Sequence, residues 1–121
     1  PKEYYKSPNN DAFLRFLLKM HGEFKFIEDI EPAIRIVHDS SAMSTLSEIN
    51  KLPRRIATHE QIYNFAKNTK YEKKAHEVLL YYKLKLNLAE AKHPISKIFR
   101  TLNFIFKHGN PRLAIRVFLN G

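Results

Sequence analysis

Residues 94–118 read PISKIFRTLNFIFKHGNPRLAIRVF. Ile95, Ile98, Phe99, Leu102, Ile105 and Phe106 recur at three- and four-residue steps, the period of one helix face. Pro94 suits a first helical turn, where its missing N–H would have no partner anyway. Gly109 stands where a left-handed residue ends a helix. Asn110-Pro111 then starts a second helix carrying Leu113, Ala114, Val117 and Phe118. Val, Ile and Phe would also suit a strand over Leu113–Leu119, but the pattern offers it no partner strand. Two apolar-faced helices joined by a short turn predict a helical hairpin.

Working outward, the same period continues. Residues Tyr71 to Asn87 place Tyr71, Ala75, Val78, Leu79 and Tyr82 on one face, with Leu80, Tyr81, Leu84 and Leu86 broadening it. So wide an apolar surface predicts a central helix. Thr58 followed by Gln61 reads as a capping box opening a helix with Ile62, Tyr63, Phe65 and Ala66. Asn68-Thr69 either breaks that helix or is passed through. Toward the N-terminus, Asn10 to His21 carries Phe13, Leu17 and Met20, with Leu14 and Leu18 beside them, and Gly22 as its stop. Glu28 to His38 carries Ile30, Ala33, Ile34 and Val37. A short helix with Met43, Leu46 and Ile49 is expected to end before Pro53. The expected fold is one all-α domain over residues 1–121, of six or seven helices in stacked antiparallel hairpins. Pro1 to Asn10 is polar and lacks the apolar stretch of a secretory signal.

Three segments echo one another: residues 32–37, 74–79 and 113–118. Each has an Ala, Ala33, Ala75 or Ala114, followed by apolar residues three and four places on. A small residue at that place lets two helices approach closely, so a hairpin repeated three times would bury one continuous core. Ile98 to Phe118 resembles a pentatricopeptide-type hairpin. Lys107-His108-Gly109 matches that family's turn, and Gly109, Ala114 and Phe118 keep its spacing. Lys70 and Glu28 stand where the other two segments would need the Gly. The Ala-Ile-Arg-Val-Phe stretch also resembles a helix of subunit Va of cytochrome c oxidase. The helix after Pro94, with its Lys-His-Gly turn, resembles one in small-subunit ribosomal protein seven. These resemblances imply a mitochondrial or other organellar setting and a place in a ribonucleoprotein or a larger protein complex.

Charge narrows the function classes. The chain of 121 residues carries 21 Lys+Arg against 12 Asp+Glu, a net charge of +9. Residues 51–121 hold fifteen of the basic and four of the acidic side chains, so the excess belongs to the second half. That asymmetry points to a polyanionic partner for this half. The nearly neutral first half is then expected to meet protein. No run approaches the about 20 apolar residues of a membrane span. An anionic membrane surface stays open as a partner.

Enzymatic chemistry finds little footing. With no Cys, thiol catalysis and cysteine-based zinc sites are excluded. His21, His38, His59, His76, His93 and His108 never fall three or four apart, so no helix face presents two ligands. Arg54 and His59 have the Arg-x4-His spacing of some helical ribonucleases, but phosphate docking by Arg54 and Arg55 is the simpler expectation. Three Gly cannot build a phosphate loop. No catalytic residue, metal or cofactor is therefore expected. Thr58–Tyr82 also admits a helix-turn-helix reading, although it lacks the usual turn Gly.

The basic rows carry the functional expectation. Lys67, Lys70 and Lys74 share a face if their helix is continuous, with Lys73 close by. Lys97 and Arg100 are three apart, and Lys107 follows two turns on. Arg112 and Arg116 are four apart. Such rows can track a phosphate backbone. Tyr63 and Tyr81 are candidates for stacking on bases, and Tyr71 and Tyr82 for the core. The leading expectation is a non-enzymatic RNA-binding component of a ribonucleoprotein, such as an organellar ribosome, held by the RNA phosphate backbone and by neighbouring proteins. The alternatives are a helical accessory subunit of a mitochondrial respiratory or other complex, and a DNA-binding regulator.

Overall fold

The computed structural model describes residues 1–25 and 47–120. The expected helix Glu28–His38, with its Ala33 segment, and the positions Met43 and Leu46 lie outside the described residues. Those described form six helices and no strand: α1 (Lys2–Lys6), α2 (Asn10–His21), α3 (Glu48–Ala66), α4 (Glu72–Ala89), α5 (Pro94–His108) and α6 (Pro111–Asn120). The protein is all-α, as its periodicity implies.

Local chemistry sets most boundaries. The Asn9 side chain accepts the Ala12 N–H at the start of α2. The Ser47 hydroxyl does the same for Asn50 at the start of α3. Gly109 ends α5 at φ 62°, a left-handed conformation that costs Gly little. Asn110 then caps α6, its Oδ1 accepting the Leu113 N–H at 3.1 Å. The Asn-Pro start and the helical reading of Leu113–Leu119 both hold.

α3 departs from expectation. It runs unbroken from Glu48 to Ala66 with Pro53 inside it. Thr58 caps nothing: it is buried in mid-helix, its hydroxyl donating to the Arg54 carbonyl at 3.0 Å. That back-bond is an alternative use of Thr Oγ which local sequence does not distinguish from a cap. Beyond Ala66 the helix does break. Asn68 is left-handed at φ 63°, and its N–H donates to Glu72 Oε2 at 2.9 Å. Thr69 Oγ1 donates to the Ala66 carbonyl and accepts the Tyr71 N–H.

α3 and α4 pair antiparallel over their length. Ion pairing joins Glu60 to Lys83, and ring stacking joins His59 to Tyr82 and Tyr63 to His76. This long hairpin is not the short, crossed pair of a helix-turn-helix. The hairpin α5–α6 packs against α4, and α1 and α2 pack against α3. α4 is therefore central. One core joins Leu80, Leu84 and Leu88 of α4 to Phe104, Ala114 and Val117. A second joins Phe13 to Ile62, Ala66 and Ala75, ringed by Tyr4, Phe16 and Phe65. Ala75 and Ala114 are both buried, each at the fourth position of the second helix of its hairpin. That equivalence is the structural content of the repeated Ala segment.

α5 is the main correction. Its apolar stripe does not face the core. Phe99 is 69% exposed and Phe106 91%, and Ile95, Ile98 and Leu102 are exposed too, whereas Thr101 and Phe104 are buried. Only Ile105, at the stripe's edge, packs partly against the core. Phe104 inserts between α4 and α6, and Arg100 Nη1 donates to the Asn87 carbonyl and Oδ1 at 2.6 and 2.7 Å. These contacts fix the rotation of the helix. Thr101 tolerates burial because its hydroxyl donates to the Lys97 carbonyl at 2.8 Å.

Candidate nucleic-acid interface

Side chains of α3 and α5 face each other across α4 and enclose a groove of about 630 Å³. α3 contributes Gln61, Tyr63 and Asn64, α4 contributes His76, Lys83 and Asn87, and α5 contributes Arg100, Asn103, Lys107 and His108. Amide and cationic side chains form about half of the lining, over a floor that includes Leu79, Leu80, Leu84 and Phe104. Glu60, the one carboxylate on it, is paired with Lys83 at 2.8 Å. Tyr63 and His76 stack at 4.9 Å, with the Lys67 ammonium 5.3 Å from the Tyr63 ring centre. These two rings also line a smaller cavity at the α3–α4 turn, with Lys70 and Lys73. The two cavities share these rings and together define a track from Lys70 and Lys73, past the stack, to Lys107, with Glu72 at its Lys70 end accepting the Asn68 N–H.

The expected basic rows are redistributed by this geometry. Lys67 and Lys70 lie in the turn, so they share no helix face with Lys74. Lys73 faces the track. Lys74 instead lines a second cavity, of about 580 Å³, between α4 and α6, with Tyr81, Tyr82, Arg112 and Arg116. Most cations there are engaged within the chain. Lys74 reaches Glu77 at 3.4 Å and Arg116 lies 5.8 Å from the Tyr81 ring, just as Lys67 and Lys70 lie 5.3 and 5.2 Å from the ring centres of Tyr63 and Tyr71. Lys97 lines a third cavity beside Glu48 and Lys85, apart from Arg100.

Arg54 and Arg55 do not converge. Arg54 donates from Nε and Nη2 to the Pro8 carbonyl at 3.0 and 2.6 Å, tying α3 to the segment before α2. Arg55 reaches Glu48 at 3.2 Å. His59 stacks on Tyr82 at 4.9 Å, so the Arg54–His59 spacing brings no two groups together. Tyr63, Tyr71, Tyr81 and Tyr82 are all half-buried, the expected core pair no more than the open pair.

Two histidines have depressed pKa values. Burial, then the nearby Arg55 charge, holds His59 below the usual imidazole value. Desolvation, then the charges of Lys107 and His76, does the same to the mostly exposed His108. Both favour the neutral ring, which stacks without adding charge. Among the described residues no three His, Asp or Glu groups gather as metal ligands.

No family model, curated protein or solved structure matches this chain. The groove is therefore read on its own chemistry. Its amides, Gln61, Asn64 and Asn103, were missed in the sequence because isolated Asn and Gln carry no pattern. Only the packing of α3, α4 and α5 brings them together.

Proposed function

We propose that this protein is a non-enzymatic RNA-binding component of a ribonucleoprotein, an organellar ribosome being the setting its sequence resemblances imply. The observation that carries the reading is the track from Lys70 and Lys73 to Lys107, lined by amides and by the Tyr63–His76 stack. Cations along a groove neutralise successive phosphates of a single strand. Amide side chains can both donate to and accept from exposed base edges. The 580 Å³ cavity serves this less well, because Asn110 is the one amide on its lining and the Glu77 carboxylate stands beside its cations.

Sedimentation of the native protein from its cell extract, with and without RNase, tests the setting. A large particle that collapses on RNase treatment is the expected result. A large particle indifferent to RNase would overturn it in favour of an accessory subunit of a protein complex. Slow sedimentation in both, with preferred duplex sequences in a binding assay, would favour a DNA-binding regulator.

A further inference from the structure

α5 and α6 meet the core through Phe104, Ala114 and Val117. The opposite sides of both helices are apolar and open. Phe106 is 91% exposed, Leu119 75% and Ile95 68%, and Phe99, Leu102 and Ile115 are also exposed. These six side chains leave on the order of 700 Å² of apolar surface, where a monomer usually shows a largest patch of about 300–600 Å². Among the described residues nothing covers it. The grooves of the hairpin lie on its other sides, lined by Arg100 and Lys107 and by Arg112 and Arg116.

Charge identifies the occupant. Residues 91–120 hold six Lys and Arg and no Asp or Glu. The charged side chains of the hairpin itself are thus all cations, Lys92 and Arg112 among them, while Glu48 of α3 and Glu77 of α4 line cavities with Lys97 and with Arg112. A second copy would set two such hairpins against each other, with no carboxylate of either hairpin to pair with the other's cations. We infer that the α5–α6 hairpin docks on an anionic lipid surface, apolar stripe inward and cations at the headgroups. Aromatic and aliphatic side chains on one face with Lys and Arg beside them are the composition of a helix lying in the membrane interface. The hairpin lies on the bilayer and does not cross it. α5 has 15 residues and is about 22 Å long, short of the roughly 30 Å hydrocarbon thickness. No helix among the described residues is long and apolar enough to span. This surface is separate from the Lys70–Lys107 track and does not depend on the RNA reading.

Co-sedimentation with sucrose-loaded vesicles tests the inference. One set is phosphatidylcholine alone, and the other contains about one-third phosphatidylserine. Binding is expected to be at least about tenfold tighter to the anionic set and to weaken with salt. The double variant Phe99→Glu/Phe106→Glu is expected to lose about tenfold or more of that binding. Both side chains are exposed, so helical circular dichroism should be unchanged. Lys70→Ala/Lys73→Ala should bind vesicles like the parent, which separates this surface from the RNA track. Failure to bind either vesicle, or undiminished binding by the Phe99/Phe106 variant, would overturn the inference. So would a dimer at sedimentation equilibrium that this variant dissociates, since the face would then belong to a second copy.

Discussion

Removing the Lys107 ammonium should change how RNA binding responds to salt by a calculable amount. Lys70, Lys73 and Lys107 line the track and Lys67 lies beside it, 5.3 Å from the Tyr63 ring centre; none of these four lysines is in an ion pair among the described residues. If each neutralises one phosphate of a single strand, the slope of log K against log salt is about −0.7 × 4, or roughly −3. Raising salt from about 50 to about 200 mM then weakens binding roughly fiftyfold. Lys107→Ala leaves three contacts, a slope near −2 and a loss of roughly twentyfold over the same range. Fluorescence anisotropy of a labelled oligouridylate, titrated at several salt concentrations, reads both slopes. Lys97→Ala is the control of equal charge, because Lys97 lines a different cavity beside Glu48. Equal slopes for the parent and Lys107→Ala would refute the track. So would a Lys97→Ala slope as shallow as that of Lys107→Ala, since net charge alone would then set the affinity.

Three further outcomes check the fold beneath the site. Phe104→Ala should cost about 3–5 kcal/mol in urea unfolding and Phe106→Ala within about 0.5, because Phe104 is buried and Phe106 is 91% exposed. The opposite ranking would restore the apolar stripe of α5 to the core. Pro53→Ala should stabilise the protein by about 1–3 kcal/mol, seen as a raised urea midpoint, since it returns an N–H donor to the interior of α3. Stability should fall on acidification below about pH 6.5, the ordinary imidazole value. His59 is depressed in the folded state, so the unfolded chain binds its proton first; its contribution is complete above that value and is lost as pH falls through the folded pKa. Urea midpoints at neutral and mildly acidic pH would show this, and His59→Phe, which keeps a ring against Tyr82, should flatten the difference.

The helical class and several boundaries were legible in single stretches of chain. Asn10–His21, the Gly109 stop and the Asn110 cap rest on periodicity and on turn chemistry that acts within a few residues. Pro53 and Thr58 misled because both have two local meanings. A Pro ends a helix unless surrounding packing sustains it, and a Thr hydroxyl caps one helix or back-bonds within another. The track was half legible. Its lysines stood out as charge, but Lys73 and Lys74 are neighbours in sequence and line different cavities.

What sequence alone determined is therefore what depends on near neighbours: an all-α chain, its hairpin turns, the apolar side of each helix, and a basic second half. Only the tertiary structure decided which side of each helix finds a partner. Amphipathicity records where apolar atoms lie around a helix axis, but burial requires another element to lie against them. In α5, Phe104 entering the core and Arg100 bonding to Asn87 set the rotation. That rotation brings Asn103 and Lys107 to the groove and leaves Phe99 and Phe106 open.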